Sequence, residues 1–152
     1  MIKNFDPFII SEIGINHNGK LKDAYKLIDS SIKAGASAVK FQTYKTEKRV
    51  KKNSPIFSIL KKCELSYQDF IKIKKYCDKK KIIFFSTPFD VESVFFLKSI
   101  GVKLFKVASF DISNYELLRA ISKTKLPTII STGMANRSEI ERAYKFFKSK
   151  KI

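Results

Sequence analysis

The sequence predicts an α/β protein built on a parallel β-sheet. Short apolar runs rich in Ile, Val and Phe recur along the chain, each followed by a polar loop and an amphipathic helical pattern. Most of these runs do not alternate regularly between apolar and polar residues, as expected for strands covered on both faces. Alternation of strands and helices is typical of a parallel sheet. We count five such units, with predicted strands at residues 8–13, 38–43, 82–87, 104–109 and 128–131.

The helices between these strands carry start and stop signals. Gly35 is placed to end the first helix as a C-terminal cap. Ser66 opens a pattern like a capping box, with Asp at the position usually held by Glu. Asp90 can cap the short helix after the third strand, and capping boxes at Ser113 and Asn136 predict the last two helices.

The longest connection runs from Tyr44 to Leu65 and contains Pro55. A loop of this length is uncommon inside a domain. We therefore expect it to contain a short extra helix or to cover a substrate.

Composition limits the class of protein. At 152 residues with 44% hydrophobic content, the chain can bury the core of one globular domain. No apolar run approaches the roughly 20 residues of a membrane helix, so we expect no membrane partner. The opening residues lack the apolar segment of a signal peptide, which predicts a cytoplasmic location. Cys63 and Cys77 fit no metal or redox spacing and are interpreted as reduced structural thiols.

The net charge of +17 could indicate nucleic acid, a membrane surface or an anionic substrate. Most lysines, however, fall on predicted helix faces or at the end of the chain, so we interpret them as solvated surface. No helix-turn-helix or Gly-Lys-aromatic motif accompanies them, and no nucleic-acid partner is expected. The helix-face group is Lys72, Lys74, Lys75, Lys79, Lys80 and Lys81.

Two lysines within predicted strands are the strongest sign of a binding site. Strand alternation puts Lys40 and Gln42 on one face, and Lys106 occupies an equivalent setting two strands later. A lysine among apolar residues is costly unless it meets an anion, although one near a sheet edge can extend to water. Two such lysines favour a shared phosphate or carboxylate site.

Polar residues at the predicted strand ends extend this site. Thr87, Ser109 and Ser131 carry hydroxyls suited to phosphate oxygens, although such residues also occur as ordinary turn residues. Glu12 ends the first strand and is interpreted either as a partner for a lysine or as a general acid/base or sugar-orienting group. His17 is interpreted as a structural loop residue rather than a metal ligand.

The motifs as a group resemble the sialic acid (N-acetylneuraminate) synthase family. Five blocks occur in the family's order and with similar spacing over nearly the whole chain. They are EIGINHNG at 12–19, AVKFQT at 38–43, STPFD at 86–90, KVAS at 106–109 and STGM at 131–134.

The resemblance implies a (β/α)8 barrel of the TIM-barrel type, with only about its first five β/α units present. Residues 1–152 would form the N-terminal part, without the later barrel strands and the small antifreeze-like domain. It implies condensation of phosphoenolpyruvate with N-acetylmannosamine or a related N-acylated amino sugar, releasing phosphate.

The resemblance also implies site residues and a cofactor. Lys40, Thr87, Lys106, Ser109 and Ser131 match phosphoenolpyruvate-binding positions, and Gln42 matches a residue near the substrates. Glu12 matches a catalytic carboxylate near the acceptor. Asp111 matches a catalytic acidic residue two positions after the phosphate-binding serine, often Glu in the family, which would act on a water or the intermediate. A divalent metal, Mn²⁺ or Mg²⁺, is expected for the family, but its two histidine ligands come from later strands and match no residue here.

Alternatives to an active synthase remain open at this stage. The chain could be a non-catalytic fragment, or half of a split enzyme that binds a complementary chain or a second copy. It could also join phosphoenolpyruvate to a sugar phosphate. A complete five-stranded doubly wound domain would instead be stable alone as a monomer.

Overall fold

Five parallel strands form one sheet in the order β1-β2-β3-β4-β5 in the computed structural model, which describes residues 7–152. Every neighbouring pair of strands is parallel. Consecutive strands therefore lie side by side, as in a (β/α)8 barrel, whereas the order reverses in a doubly wound sheet. The predicted α/β class, with five units of barrel type, is confirmed. The strands are β1 (Ile10–Gly14), β2 (Ala38–Thr43), β3 (Ile83–Pro88), β4 (Phe105–Val107) and β5 (Thr128–Ile130).

Helices pack against the outer face of this sheet. Side chains from that face, such as Phe41 and Phe105, form the main core with Ile28, Ile73 and Leu118 from the helices. Burying these apolar surfaces is the main force that holds the layers together. The helices are α1 (Leu21–Lys33), α2 (Thr46–Arg49), α3 (Phe57–Cys63), α4 (Tyr67–Lys79), α5 (Val91–Ser99), α6 (Tyr115–Thr124) and α7 (Arg137–Ser149).

Most predicted caps are present. Ser66 and Asp90 each accept a backbone N–H from the first turn of their helices, and Asn136 forms a reciprocal capping box with Glu139. The prediction at Ser113 is wrong by one residue, because Asn114 caps α6 by accepting the N–H of Leu117. The Ser113 hydroxyl instead donates to the Glu139 carboxylate, so it is not available as a cap.

The predicted end of β4 is wrong by two residues. The predicted strand extends to Ser109, but pairing ends at Val107 and Ser109 begins a single 3-10 turn that ends at Asp111. Phe110 of this turn stacks on Phe89, which directly follows β3, so the turn lies beside the carboxyl edge of the sheet. It therefore brings Asp111, two residues after the strand-end serine, back towards that edge.

The long connection contains two short helices, α2 and α3. This agrees with the first of the two expectations, a short extra helix. It packs as a small separate cluster in which Tyr44, Leu60 and Phe89 are buried. The Tyr44 hydroxyl donates to the carbonyl of Leu60 at 2.9 Å. The segment is thus fixed over the carboxyl ends of β2 and β3.

The helix-face lysines and the two cysteines lie where the sequence predicted them. The lysines named above, on α4 and in the two positions after it, are exposed or half-buried. Several form ion pairs, such as Lys74–Asp78 at 2.6 Å. Cys63 and Cys77 are buried free thiols. Among the described residues, no helix has both the length and the apolar character needed to cross a bilayer.

The inner face of the sheet is only partly covered within residues 7–152. Strands β1 and β5 form its two edges. Ile83 and Ile129 point to this face and are 40% and 37% exposed. The predicted site residues that lie within strands share this face: Glu12, Lys40, Gln42, Thr87 and Lys106.

Candidate active site

A buried lysine and a carboxylate from neighbouring strands form the centre of the site. Glu12 on β1 is paired in register with Lys40 on β2, and the two side chains share the inner face. The Lys40 Nζ lies 2.5 Å from Glu12 Oε2. The register shifts between Glu12 and Gly14, where the strand bulges and Gly14 takes a φ of +59°. This bulge ends the regular pairing just after the carboxylate.

Lys106 joins this pair from β4, across the intervening strand. Its Nζ lies 3.7 Å from Glu12 Oε1, so one carboxylate bridges two ammonium groups. The ammonium groups of both lysines therefore converge on the Glu12 carboxylate, as expected from the equivalent positions of the two lysines within their strands. The Lys40 side chain is 4% exposed, whereas that of Glu12 is 51% exposed.

Burial dominates the electrostatics of Lys40. Removing its ammonium from water lowers the pKa of Lys40, the Glu12 carboxylate opposes this shift, and the Lys106 charge adds to it. A buried ammonium next to a second cation is stabilised by any further anion that enters. The arrangement can therefore bind an oxyanion on the solvent side of the lysines.

Gln42 and Thr87 lie one step nearer the carboxyl edge on the same face. They are paired in register across β2 and β3. The Gln42 amide oxygen accepts a hydrogen bond from an Arg49 guanidinium nitrogen at 3.2 Å. Thr87 is 2% exposed, and its Oγ1 has no hydrogen-bond partner among residues 7–152. A buried hydroxyl without a partner is costly unless a ligand satisfies it.

The turn after β4 supplies a second unpaired group. Asp111 is 8% exposed; its Oδ1 accepts a hydrogen bond from the Asn114 amide at 3.1 Å, but its Oδ2 has no partner in the described chain. Burial raises the pKa of Asp111, while the Asn114 hydrogen bond and the Arg49 charge oppose the rise. Its carboxyl is therefore easier to protonate than an exposed aspartate.

The two strand-end serines lie near this edge without direct contacts to the lysines. Ser109 begins the turn after β4 and is half-buried. Ser131 directly follows β5, where its backbone N–H donates to Val107 at 3.1 Å. Within residues 7–152, neither hydroxyl has a hydrogen bond to Lys40, Lys106 or Glu12. Their roles in phosphate binding stay predictions.

His17 is buried in the loop after β1, where the sequence placed a structural residue. Its Nδ1 accepts the N–H of Gly19 at 3.1 Å, and its ring stacks on Phe41. The Nε2 atom has no partner among the described residues. Burial lowers the pKa of His17.

A divalent metal does not fit the side chains described. Residues 7–152 contain no cluster of three or more His, Cys, Asp or Glu able to hold an ion. Both carboxylate oxygens of Glu12 already face lysine ammonium groups. We therefore assign no metal ligands among residues 7–152 and derive no step through a metal.

Sequence reasoning missed three residues at this edge. Arg49, Phe89 and Asn114 contact the predicted site residues or one another. Arg49 was hidden in a run of surface-like charges, and its position depends on how the long connection folds. Of these three residues, only Asn114 had a local sequence signal, the capping box predicted to start at Ser113.

Comparisons with known proteins agree with this architecture. The model of the NeuB family matches residues 27–152. The chain is 39% identical over 150 residues to the N,N'-diacetyllegionaminic acid synthase of Legionella pneumophila, covering 90% of this chain and 42% of that protein. It is 34% identical over 159 residues to a pseudaminic acid synthase of Campylobacter jejuni, covering 95% of this chain and 46% of that one.

A solved relative superposes closely. The N-acetylneuraminic acid synthetase of Leptospira borgpetersenii, determined in complex with citrate, has a TM-score of 0.92 and 42% identity. The match covers 99% of this chain and 55% of that one. The chain therefore spans about half the length of the relatives it matches. Because the family model covers most of its residues, the chain belongs to the NeuB family.

Proposed function

We propose that this chain supplies the phosphoenolpyruvate-binding part of a nonulosonic acid synthase. The reaction would condense phosphoenolpyruvate with N-acetylmannosamine or a related N-acylated amino sugar and release phosphate. The convergence of Lys40 and Lys106 on Glu12 carries the proposal. The names of the relatives, which are synthases of several nine-carbon sugar acids, support it.

The lysines bind the donor. Phosphoenolpyruvate carries a carboxylate and a phosphate, and two ammonium groups on one face can neutralise both. The Thr87 hydroxyl, which has no hydrogen-bond partner among residues 7–152, donates to an oxygen of phosphoenolpyruvate from the same face. Ser109 and Ser131 add hydroxyls at the neighbouring strand ends. Fixed donors at these places hold the enol ether in one orientation.

The carboxylates act on the acceptor and on water. The donor's methylene carbon bonds to the aldehyde carbon of the open-chain sugar, and the aldehyde oxygen takes up a proton. Water then adds to the electron-deficient donor carbon and loses a proton, and the tetrahedral product expels phosphate. In this proposal Glu12 orients the acceptor or moves its proton. Asp111, whose Oδ2 has no hydrogen-bond partner among residues 7–152, takes the proton from water.

Further strands complete the site in this proposal. The inner face with its exposed Ile83 and Ile129 and the two sheet edges require a cover. That cover comes from additional barrel strands, a complementary chain or a second copy. The expected Mn²⁺ or Mg²⁺ would bind with residues of that cover. A cytoplasmic location remains a prediction from the sequence.

Thermal unfolding and size, measured on the purified chain with and without millimolar phosphoenolpyruvate, test the donor site. A ligand present at about 100 times its Kd stabilises the folded state by ~2.7 kcal/mol. We expect a cooperative transition raised by the ligand, with the rise lost in Lys40→Ala and Lys106→Ala. Lys72→Ala, on the exposed side of α4, is the control and should keep the rise. Indifference of the wild-type chain to the ligand would contradict a donor site within this chain.

The acceptor is tested separately. Product formation from phosphoenolpyruvate with N-acetylmannosamine, compared with its 6-phosphate, distinguishes a free-sugar synthase from a sugar-phosphate synthase. If neither acceptor reacts but the donor stabilises the chain, this polypeptide binds without catalysing. Adding a complementary chain with the later strands should then restore turnover.

A further inference from the structure

Arg49 reaches the site from the long connection between β2 and β3. Its guanidinium lies 3.8 Å from the centre of the Phe89 ring and 4.8 Å from that of Tyr44. Phe110 stacks on Phe89 in turn, with the two ring centres 5.8 Å apart. The cation is therefore held against aromatic rings, in an arrangement that limits the directions in which its N–H groups point.

This guanidinium has no anionic partner within the described chain. Its hydrogen bond goes to the neutral amide of Gln42, and no carboxylate of residues 7–152 lies within 4.0 Å of it. Burial lowers the pKa of Arg49. A partly buried cation without a direct ion pair is costly, although the Asp111 charge opposes the shift in its pKa. A bidentate oxyanion is the partner that its planar N–H groups fit best.

The chain fixes Arg49 in place through the start of α2. Thr46 donates to the Glu64 carboxylate through both its backbone N–H, at 3.0 Å, and its hydroxyl, at 2.7 Å. Lys61 pairs with the same carboxylate at 3.1 Å. The four-residue helix that ends at Arg49 is thus tied to the end of α3.

Two unpaired oxygens lie on the same edge. Thr87 is the strand partner of Gln42, and its buried Oγ1 has no hydrogen bond to any described residue. The Oδ2 of Asp111 also has no partner among residues 7–152, and the nearby Arg49 charge opposes the rise in the pKa of Asp111. A buried hydroxyl, a free carboxyl oxygen and an unmatched guanidinium together indicate a polar ligand above Gln42.

We propose that Arg49 binds an oxyanion of a substrate, a carboxylate or a phosphate, at the carboxyl edge of the sheet beside Gln42. The proposal rests on the function proposed above and makes Arg49 a third cation of that site. The oxyanion belongs either to phosphoenolpyruvate or to a phosphorylated acceptor sugar. An unphosphorylated N-acylated amino sugar carries no oxyanion, so Arg49 could form only neutral hydrogen bonds with it.

Titration calorimetry of the purified chain decides between these sources. The probes are phosphoenolpyruvate, N-acetylmannosamine 6-phosphate and N-acetylmannosamine. We expect Arg49→Gln to weaken one of the two anionic probes by about tenfold or more, the loss of a charge-assisted contact. A loss confined to phosphoenolpyruvate assigns the donor, and one confined to the sugar phosphate assigns the acceptor. Arg49→Lys should be weakened less, because it keeps the charge and loses the planar fork, and it decides the matter if Arg49→Gln fails to fold.

Lys48→Gln is the matched control. It removes the same charge from the neighbouring position, where the side chain is 51% exposed and pairs with Glu92. Its affinities should stay within about twofold of wild type, since exposed charges are screened. Unchanged affinities in both Arg49 variants, with only a lower unfolding temperature, would make Arg49 a structural residue and overturn the proposal. In that case, lost binding in Lys40→Ala would leave the proposed function standing; a wild-type chain that binds no anionic probe overturns both.

Discussion

Lys40 on β2 and Glu12 on β1 are paired in register and joined by a 2.5 Å contact, yet they differ sharply in exposure. The ammonium is buried and the carboxylate is half in water. An ion pair of this kind adds little net stability, because the cost of desolvating the lysine offsets the attraction. Its presence in the inner face is better explained by binding an anion than by holding the fold together.

We therefore expect Lys40→Met to separate stability from binding. The apolar side chain removes the desolvation cost, and Glu12 remains hydrated. The free energy of unfolding without ligand should stay within about 1 kcal/mol of wild type or increase. The stabilisation by phosphoenolpyruvate should disappear. Urea unfolding with and without the ligand measures both, and a large loss of ligand-free stability would contradict this account of the pair.

We expect a side chain at Gly19 to lower the stability of the fold through a steric clash. A Cβ at this position would lie 2.2 Å from the backbone oxygen of Lys62, and its φ is +71°. Gly35 has a φ of +81°, but a Cβ there would meet no atom within 4 Å, so it offers a matched control for the backbone strain alone. We expect Gly35→Ala to cost about 1–2 kcal/mol and Gly19→Ala clearly more. Equal losses in urea unfolding would show that the loop moves away from Lys62 without cost.

His17 predicts a pH dependence of stability. Because burial lowers its pKa in the folded state, the unfolded chain binds a proton more readily. The stability that neutral His17 provides is complete above its unfolded pKa near 6.5, and it is lost as pH falls below that value.

His17→Asn provides the comparison, since an Asn side chain can also accept the N–H of Gly19. Urea unfolding at pH 7.5 and at pH 5 should show a smaller decrease in the variant than in the wild type. The raised pKa of Asp111 acts in the opposite direction in both proteins, so it cancels in this comparison. An identical decrease in both proteins would show that His17 does not titrate as described.

The buried cysteines predict slow thiol chemistry. Burial raises the pKa of Cys77 to about 12, so its thiolate is scarce at neutral pH. Neither Cys63 nor Cys77 should react quickly with a thiol reagent in the folded chain, and both should react after denaturation. Cys77→Ser separates the two sites. Fast labelling of a thiol in the native protein would mean that the helix layer opens locally.

The strand–helix pattern predicted the parallel sheet because covered strands and amphipathic helices have different apolar periods. The shared face of Lys40 and Gln42 followed from the two-residue period of a strand. The end of β4 was not predictable in the same way. Only pairing with neighbouring strands decides where Ser109 leaves the sheet and begins its turn.

The sequence by itself determined the order of the units, the strand lysines and the motifs that identified the family, because these depend on residues close together along the chain. Tertiary structure alone decided that one carboxylate bridges Lys40 and Lys106, since β3 separates β2 from β4 in the sheet. It also decided that Arg49 lies over the site, which depends on the packing of Tyr44 and Phe89 beneath its guanidinium. Contacts between distant segments follow from burial and packing, and no local period records them.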